Sequence, residues 1–332
     1  MRRLPRDAVV TVGVFDGLHL AHQQLLRHTV RLARRLQRPS LAITFDPDPQ
    51  QVLHPAQAQP ALMPLSARVE QLSALGIGWT WVIPFTRSFA RLTAEQFIRQ
   101  FLAGGLRARA VVVGEAFAFG RDRRGDMAVL RRAGEAGGLR VQALREVRLV
   151  GAPISSSRIR RLITGGQLAQ AGRLLGRPPA LYGVVVRGVG RGRRLGFPTA
   201  NLRLTSQVLP PRGVYAVVVR GRGRRPLTGV TPPPIRVRGT RTVAHGHIAS
   251  GELIGGGVMN IGVRPTFGPG PVVCEVHLLS FSGTLLGEAV CVSLLSRLRG
   301  ERCFPSWEAL RRQVSRDIAR ARALFARSPA LR

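Results

Sequence analysis

The chain has no lysine, and only two asparagines and two tyrosines, among its 332 residues. Its 51 basic residues are therefore all arginine, set against 17 acidic ones for a formal charge of +34. Plentiful Arg, Ala, Gly and Pro beside scarce Lys, Asn and Tyr looks like a coding bias toward G and C. Under such a bias a surviving asparagine is there because its side chain is needed. The two are Asn201 and Asn260, both in Gly- and Pro-flanked stretches that read as loops. An amide there can give a neutral oxygen to a metal ion or donors to a phosphate.

Missing lysine also excludes chemistry. There is no G-x-x-x-x-G-K-[ST] phosphate loop, no protein-kinase-type lysine and no Schiff-base lysine. Phosphate handling falls to arginine, histidine, backbone N–H groups and metal. Three cysteines, Cys274, Cys291 and Cys303, lack CxxC spacing, which reads as reduced thiols and a cytoplasmic location. The first apolar run breaks at Asp16-Gly17, so the start of the chain does not read as a signal peptide. No run approaches the roughly 18–20 apolar residues that span a bilayer, so no membrane partner is expected.

Aromatic residues are 5% of the chain, which leaves few platforms for stacking bases. The arginines are spread around helices, as at Arg27, Arg31, Arg34, Arg35 and Arg38. Generic arginine enrichment therefore outranks an Arg-rich nucleic-acid-binding protein, the rival of another class. No specific nucleic acid is expected, only polyanion affinity that salt abolishes and a surface that favours phosphorylated small substrates.

What is present points to about two domains, and 45% hydrophobic residues mark the chain as globular. Ala8 to Val14 reads as a buried strand, followed by a helix carrying Leu25, Leu26, Leu32 and Leu36 on one side. Short apolar runs recur at Leu41 to Phe45, Trp79 to Ile83, Ala110 to Val113 and Leu139 to Leu144, with helical stretches between them. One of these opens on a capping box, Thr93 to Gln96. The alternation predicts a parallel α/β sheet. His19 and His22 fall beyond its first strand, where such sheets bind ligands. Two imidazoles three residues apart at a helix N-terminus can face one anion. A zinc pair is the competing reading, but it needs further ligands, and His28 and His54 lack matching spacing.

Gly165, Gly166 and Gly172 surround a short helical piece, and Leu174 to Pro179 breaks regular structure, which sets the boundary near residue 180. Short strands follow at Tyr182–Val186, Val214–Arg220, Gly257–Ile261, Val272–Leu279 and Glu288–Leu295, the spacing of a small antiparallel barrel. From Ser306 an amphipathic helix presents Trp307, Leu310, Val314, Ile318, Ala321 and Phe325 to that barrel. The Pro-, Arg- and Gly-rich stretch from about 221 to 256 reads as one long structureless loop, a lid or idle, with idle the favoured reading. The Arg187 to Arg194 loop is not a dinucleotide fingerprint. It reads as a flexible hairpin tip, although its glycines could curl N–H groups around phosphates.

Gly13-x-Phe15-Asp16-Gly17-x-His19-x-x-His22 resembles the nucleotidylyltransferase signature of bacterial bifunctional riboflavin kinase/FAD synthetases. Thr44-Phe45-Asp46-Pro47, Val113-Gly114-Glu115-x-Phe117-x-Phe119-Gly120 and Ile154-Ser155-Ser156-Ser157-Arg158-Ile159-Arg160 are similar to that family's later motifs, in the same order. Behind the glycine loop, Leu195 to Asn201 contains Pro-Thr-Ala-Asn, which looks like the flavokinase motif. Gly213-Val214-Tyr215, Asn260-Ile261-Gly262-x-Arg264-Pro265-Thr266-Phe267 and Glu275-Val276-His277-Leu278 follow.

The resemblance implies two ATP-dependent activities, riboflavin to FMN and FMN to FAD, in a Rossmann-like nucleotidylyltransferase domain (1–179) and a riboflavin kinase barrel with a terminal helix (180–332). It implies that His19 and His22, with Gly13, Phe15, Asp16, Gly17, Ser155, Ser156, Ser157 and Arg160, bind ATP and its phosphates. Gly196, Thr199 and Asn201 bind the second ATP, with Thr199 and Asn201 on Mg²⁺. Asp46, Phe117, Asn260 and Arg264 contact flavin, and Glu275 is the general base for the ribityl hydroxyl. A strand carboxylate paired with arginine is the plainer reading of Glu275. Riboflavin, FMN, FAD and ATP are the implied small-molecule partners, and a homo-oligomer is compatible. The chain departs from the family pattern at Ala21 (Gly), Asp48 (His), Ala116 (an acid or amide) and Leu286 (Tyr). Ala116 motivates a rival in which only the kinase works and the first domain is weakened.

Overall fold

The structure is a computed structural model that describes residues 4–188, 190, 192, 196–221, 241–244 (backbone only), 251–263 and 272–326. The chain divides into two compact units, residues 1–60, 65–156 and 225–249, and residues 61–64, 157–224 and 250–332.

The first unit is built on β1 (Val9–Val12), β2 (Ser40–Asp46), β3 (Trp79–Pro84), β4 (Ala110–Gly114) and β5 (Arg140–Leu144). All five run parallel, in the order β3-β2-β1-β4-β5. β1 is buried along its whole length, which is why it reads as a continuous apolar run. Helix α1 (Leu20–Arg35) packs on β1 through Leu32 and Ala33 and ends with Arg34 and Arg35, whose charges oppose its dipole. Short helices α2 (Pro49–Leu53), α3 (Leu65–Ala74), α4 (Arg87–Ala90) and α5 (Ala94–Phe97) follow, and the capping box at Thr93 forms as read. The few aromatics are not scattered. Trp81, Phe89, Phe97, Phe101 and Phe119 pack on one another in a single core. Helix α6 (Met127–Gly137) stops at Gly138, which takes the left-handed conformation at φ 67°.

Beyond the hairpin β6 (Arg148–Leu149) and β7 (Ala152–Pro153) come α7 (Ser156–Thr164) and α8 (Leu168–Leu175). The second unit's barrel is closed by β8 (Ala180–Val186), β9 (Ala200–Leu204), β10 (Gly213–Gly221), β12 (Leu253–Val263), β13 (Val272–Leu278) and β14 (Ala289–Gly300), in the order β10-β12-β13-β9-β8-β14. Side chains alternate across its wall. Tyr215, Val217, Met259, Ile261, Cys274 and Val276 fill the interior. Val214, Ala216, Val258 and Leu298 face outward and meet Ala321, Ile318 and Phe325 of the terminal helix α9 (Trp307–Ala326). A Cβ on Gly256 would lie 2.8 Å from the Phe325 ring, so a glycine lets the helix seat.

Several expectations need correction. Residues 221–256 are not one loop. β10 runs to Gly221, β12 starts at Leu253, and β11 (Arg241–Ala244) pairs antiparallel with β3, giving the otherwise parallel sheet a sixth strand. The rest of that stretch, including 222–240 and 245–250, lies outside the described residues. Asn201 and Asn260 sit on β9 and β12 rather than in loops. Neighbouring Pro and Gly mark where those strands start or bulge, not where they are missing. Trp307 does not pack; it is 61% exposed, because α9 meets the barrel only through its later turns.

Candidate functional sites

In the first unit the sheet order reverses at β1, so the crevice between the carboxyl ends of β1 and β4 is the ligand position of an open α/β sheet. The chain leaves β1 through a tight turn with positive φ at Phe15 (55°), Gly17 (78°) and Leu18 (39°). Non-glycine residues in that region are strained and cluster at functional turns. The Phe15 ring turns inward, 1% exposed, lies where a Cβ on Gly13 would be 3.0 Å away, and supports the His22 imidazole edge-on at 5.3 Å. Asp16 is buried, and its carbonyl accepts the Ser156 hydroxyl at 2.9 Å, tying the serine-rich segment to this turn.

His19 is the N-cap of α1. Its Nδ1 accepts the His22 backbone N–H at 3.4 Å, which leaves the proton of the neutral ring on Nε2. The two imidazoles stack with centroids 3.7 Å apart. His22 Nδ1 is buried without a hydrogen-bond partner among the described residues. Burial first, then His19, then the nearby Arg68 guanidinium hold the His22 pKa well below its usual 6.5. His22 is therefore a neutral imidazole at pH 7, with one polar atom unsatisfied beside a helix N-terminus. That combination suits an anion's oxygens.

Arg68, on α3, was missed by the sequence reading. It is buried, donating to Thr44 Oγ1 at 3.3 Å and to the Phe45 carbonyl at 3.0 Å, while Thr44 donates to the Val14 carbonyl at 2.9 Å. Among 51 basic residues nothing local marks it out, and only burial does.

Asp46 ends β2 exposed, and Phe117 follows β4, stacked on Phe119 at 5.2 Å. Ser155 lies with this unit. Ser157 and Arg160 lie on α7 and are counted with the second unit. Of the departures, Asp48 has a structural use: it caps α2 by accepting the Gln50 N–H at 2.9 Å. Ala21 lies in the first turn of α1, and Ala116 is exposed in the loop after β4.

In the second unit strand register does the assembling. Asn201 on β9 stands opposite Glu275 on β13, and Glu275 opposite Asn260 on β12. Directly opposed residues share a face, with Cβ atoms about 5 Å apart, so these three polar side chains form one row on the outside of the wall. Asn201 is the buried end of the row and Asn260 the exposed one. Beside the row opens a cavity of about 540 Å³ lined by Thr199 and Asn201, the loop residues Arg187, Gly188 and Gly190, and apolar Val185, Val276, Leu278 and Leu286. A Cβ on Gly188 would lie 2.0 Å from Asn201 Nδ2, so only a glycine allows the loop to cross the amide. Gly196, at φ 85°, makes the turn into the motif. Arg264, with Pro265 to Phe267, and most of the 189–195 stretch including Leu195, lie outside the described residues.

An α/β sheet with imidazoles at its switch point, carried on one chain with a closed barrel whose cavity is lined by a Thr and an Asn, is the architecture of a two-part transferase. Residues 1–158 match the FAD synthetase family model and residues 175–325 the riboflavin kinase model. A Haemophilus influenzae bifunctional riboflavin kinase/FMN adenylyltransferase is 34% identical over 97% of this chain and 96% of its own. Its Escherichia coli counterpart is 35% identical over 96% of this chain and 92% of its own. The chain belongs to the bifunctional riboflavin kinase/FMN adenylyltransferase family. A solved Streptococcus pneumoniae structure described as a macrolide-efflux protein superposes with TM-score 0.77 at 30% identity, covering 96% of this chain and 94% of that one. Among the described residues, no helix is long and apolar enough to cross a membrane.

Proposed function

We propose that the barrel, within the 180–332 domain, phosphorylates riboflavin to FMN, and that the sheet unit, within the 1–179 domain, adenylylates FMN to FAD with release of pyrophosphate. ATP is the donor in both steps. The observation that carries the reading is the strand register that sets Glu275 opposite both Asn260 and Asn201, the last of which lines the cavity with Thr199. Glu275 accepts the proton of the riboflavin 5′-hydroxyl, since a primary alcohol is a weak nucleophile until a positioned carboxylate takes its proton. Asn260 and Arg264 contact the flavin.

The donor set fits Mg²⁺. Thr199 and Asn201 offer two neutral oxygens, and no cluster of three or more His, Cys, Asp or Glu suited to a metal exists among the described residues. An ion held so lightly by protein keeps its waters and takes its remaining ligands from ATP, which is how Mg²⁺ is usually bound. When bound it neutralises phosphate charge, while Gly196 and the glycine loop let backbone N–H groups approach.

In the sheet unit the neutral His22, and His19 through its Nε2–H, donate to ATP phosphate oxygens. Gly13, Asp16 and Gly17 shape the turn, Phe15 props His22, and Ser155 and Ser156 serve the triphosphate. Asp46 and Phe117 contact FMN. Such transfers are driven by positioning and charge neutralisation, and the buried Arg68 adds positive potential. The protein works in the cytoplasm with no nucleic acid partner, and a homo-oligomer is compatible with both sites.

The test is one incubation with riboflavin, ATP and Mg²⁺ that resolves FMN and FAD. Glu275→Gln lowers FMN formation by about 10²–10⁴-fold and leaves FAD formation from supplied FMN intact. His19→Ala does the reverse. Equal loss of both activities in either variant rules out two separate sites, and absence of FAD from the wild type leaves only the kinase.

A further inference from the structure

We infer that His277 is a positioning residue for the Thr199–Asn201 segment, an inference that rests on the kinase reading of the barrel. Backbone pairing between β13 and β9 runs through Glu275↔Asn201 and Val276↔Ala200 and then ends. The next residue back along the β9 side is Thr199, preceded by Pro198, which has no N–H to continue a ladder. At that point a side chain replaces the backbone. His277 Nδ1 lies 2.8 Å from the Pro198 carbonyl, and its ring meets the Phe197 ring edge-on, centroids 5.7 Å apart and planes 83° apart.

A carbonyl can only accept, so the bond fixes the His277 proton on Nδ1. His277 is two residues from Glu275 and thus on the same outer face of β13. One strand face therefore presents the proposed base and, beside it, the clasp for the segment that holds the proposed metal and phosphate ligands. Glu275 and Thr199 are kept in mutual register by this side chain where the ladder no longer does so. His277 touches no reacting atom, so its loss weakens nucleotide binding more than the chemical step.

The experiment uses the full chain and compares His277→Asn with His277→Gln. The Asn amide nitrogen falls where Nδ1 was and can donate to Pro198; the Gln amide falls where Nε2 was and cannot. The expected result is a KM for ATP in riboflavin phosphorylation raised about tenfold in the Gln variant, with kcat changed less, and a near wild-type KM in the Asn variant. A wild-type KM in the Gln variant, or an equal rise in both, overturns the inference. Nitrogen-15 NMR of histidine-labelled wild type reads the geometry without any activity. The His277 ring should be the Nδ1–H tautomer, and an Nε2–H ring overturns the clasp even where the kinase reading stands. A wild type that shows the Nδ1–H ring but forms no FMN indicts the kinase reading instead: the hydrogen bond stands, and the positioning role inferred from it is overturned.

Discussion

A side chain's chemistry here is set by what surrounds it. His22 is the clearest case. Its pKa is lowered by burial above all, with His19 and Arg68 adding to the effect, so the folded protein resists protonating it. Below pH 6.5 the unfolded chain takes up a proton there that the native state refuses. The stability present above pH 6.5 is thus lost as pH falls, by up to about 1.4 kcal/mol per pH unit, until pH drops through the folded pKa. Urea unfolding of the wild type and His22→Asn between pH 7 and 5 should show a shallower loss in the variant. Parallel pH curves would mean that His22 carries no such linkage. The same residue-scale view explains Asp48. Its carboxylate caps a short helix by accepting the Gln50 N–H, so the aspartate has a local stabilising role of its own. It also shows why Tyr215 survives in a tyrosine-poor chain. Its ring is fully buried in the barrel, and its hydroxyl donates to the Pro211 carbonyl.

At the scale of elements, a buried ion pair adds to the apolar packing that seats the terminal helix. Arg299 Nε lies 2.9 Å from Asp317 Oδ2, with the side chains 10% and 1% exposed, and Gln313 donates to the other carboxylate oxygen at 2.9 Å. Removing one partner strands a charge in low dielectric, which costs about 3–5 kcal/mol. Asp317→Ala should lose that much in denaturant unfolding, whereas replacing both partners by apolar residues of similar volume should recover most of it. If the single variant matches wild type, the ion pair contributes nothing. Elements differ in how far the sequence announces them. β1 through β5, α1 and the capping box were legible, because buried parallel strands and amphipathic helices leave strong periodic patterns. β9 was not. It is five residues long, follows Gly-Phe-Pro-Thr and carries an outward asparagine, so its composition reads as a loop while its partners β8 and β13 make it a strand. β11 was hidden in an Arg- and Pro-rich stretch, and only pairing to the β3 edge defines it. The motifs named Thr199, Asn201 and Glu275, but not that register would align Asn201, Glu275 and Asn260. Neither Arg68 nor the crossing of Gly188 over Asn201 has a local signature, since both are consequences of long-range packing.

At the scale of the whole molecule, the two proposed centres draw on separate sets of residues. The imidazole turn and its Arg68 belong to the first unit, and the Asn–Glu–Asn row belongs to the second. Each should therefore be removable without disabling the other, and the shared species, FMN, should link them through solution. Glu275→Gln should make almost no FMN but keep the adenylyl step; His19→Ala should make FMN and stop there. Mixed in equal amounts with riboflavin, ATP and Mg²⁺, the two variants should form FAD that neither forms alone. A lag should precede it while FMN accumulates in bulk, and adding FMN at the start should abolish that lag. Lowering the concentration of the Glu275→Gln partner should slow FAD formation in proportion, because it must capture FMN from solution. If the mixture makes FMN but no FAD, while the Glu275→Gln protein alone converts added FMN, then FMN does not leave the barrel that made it at a useful rate. The two units would then have to exchange it within one molecule, and independence of the sites would fail as a description of how the chain works.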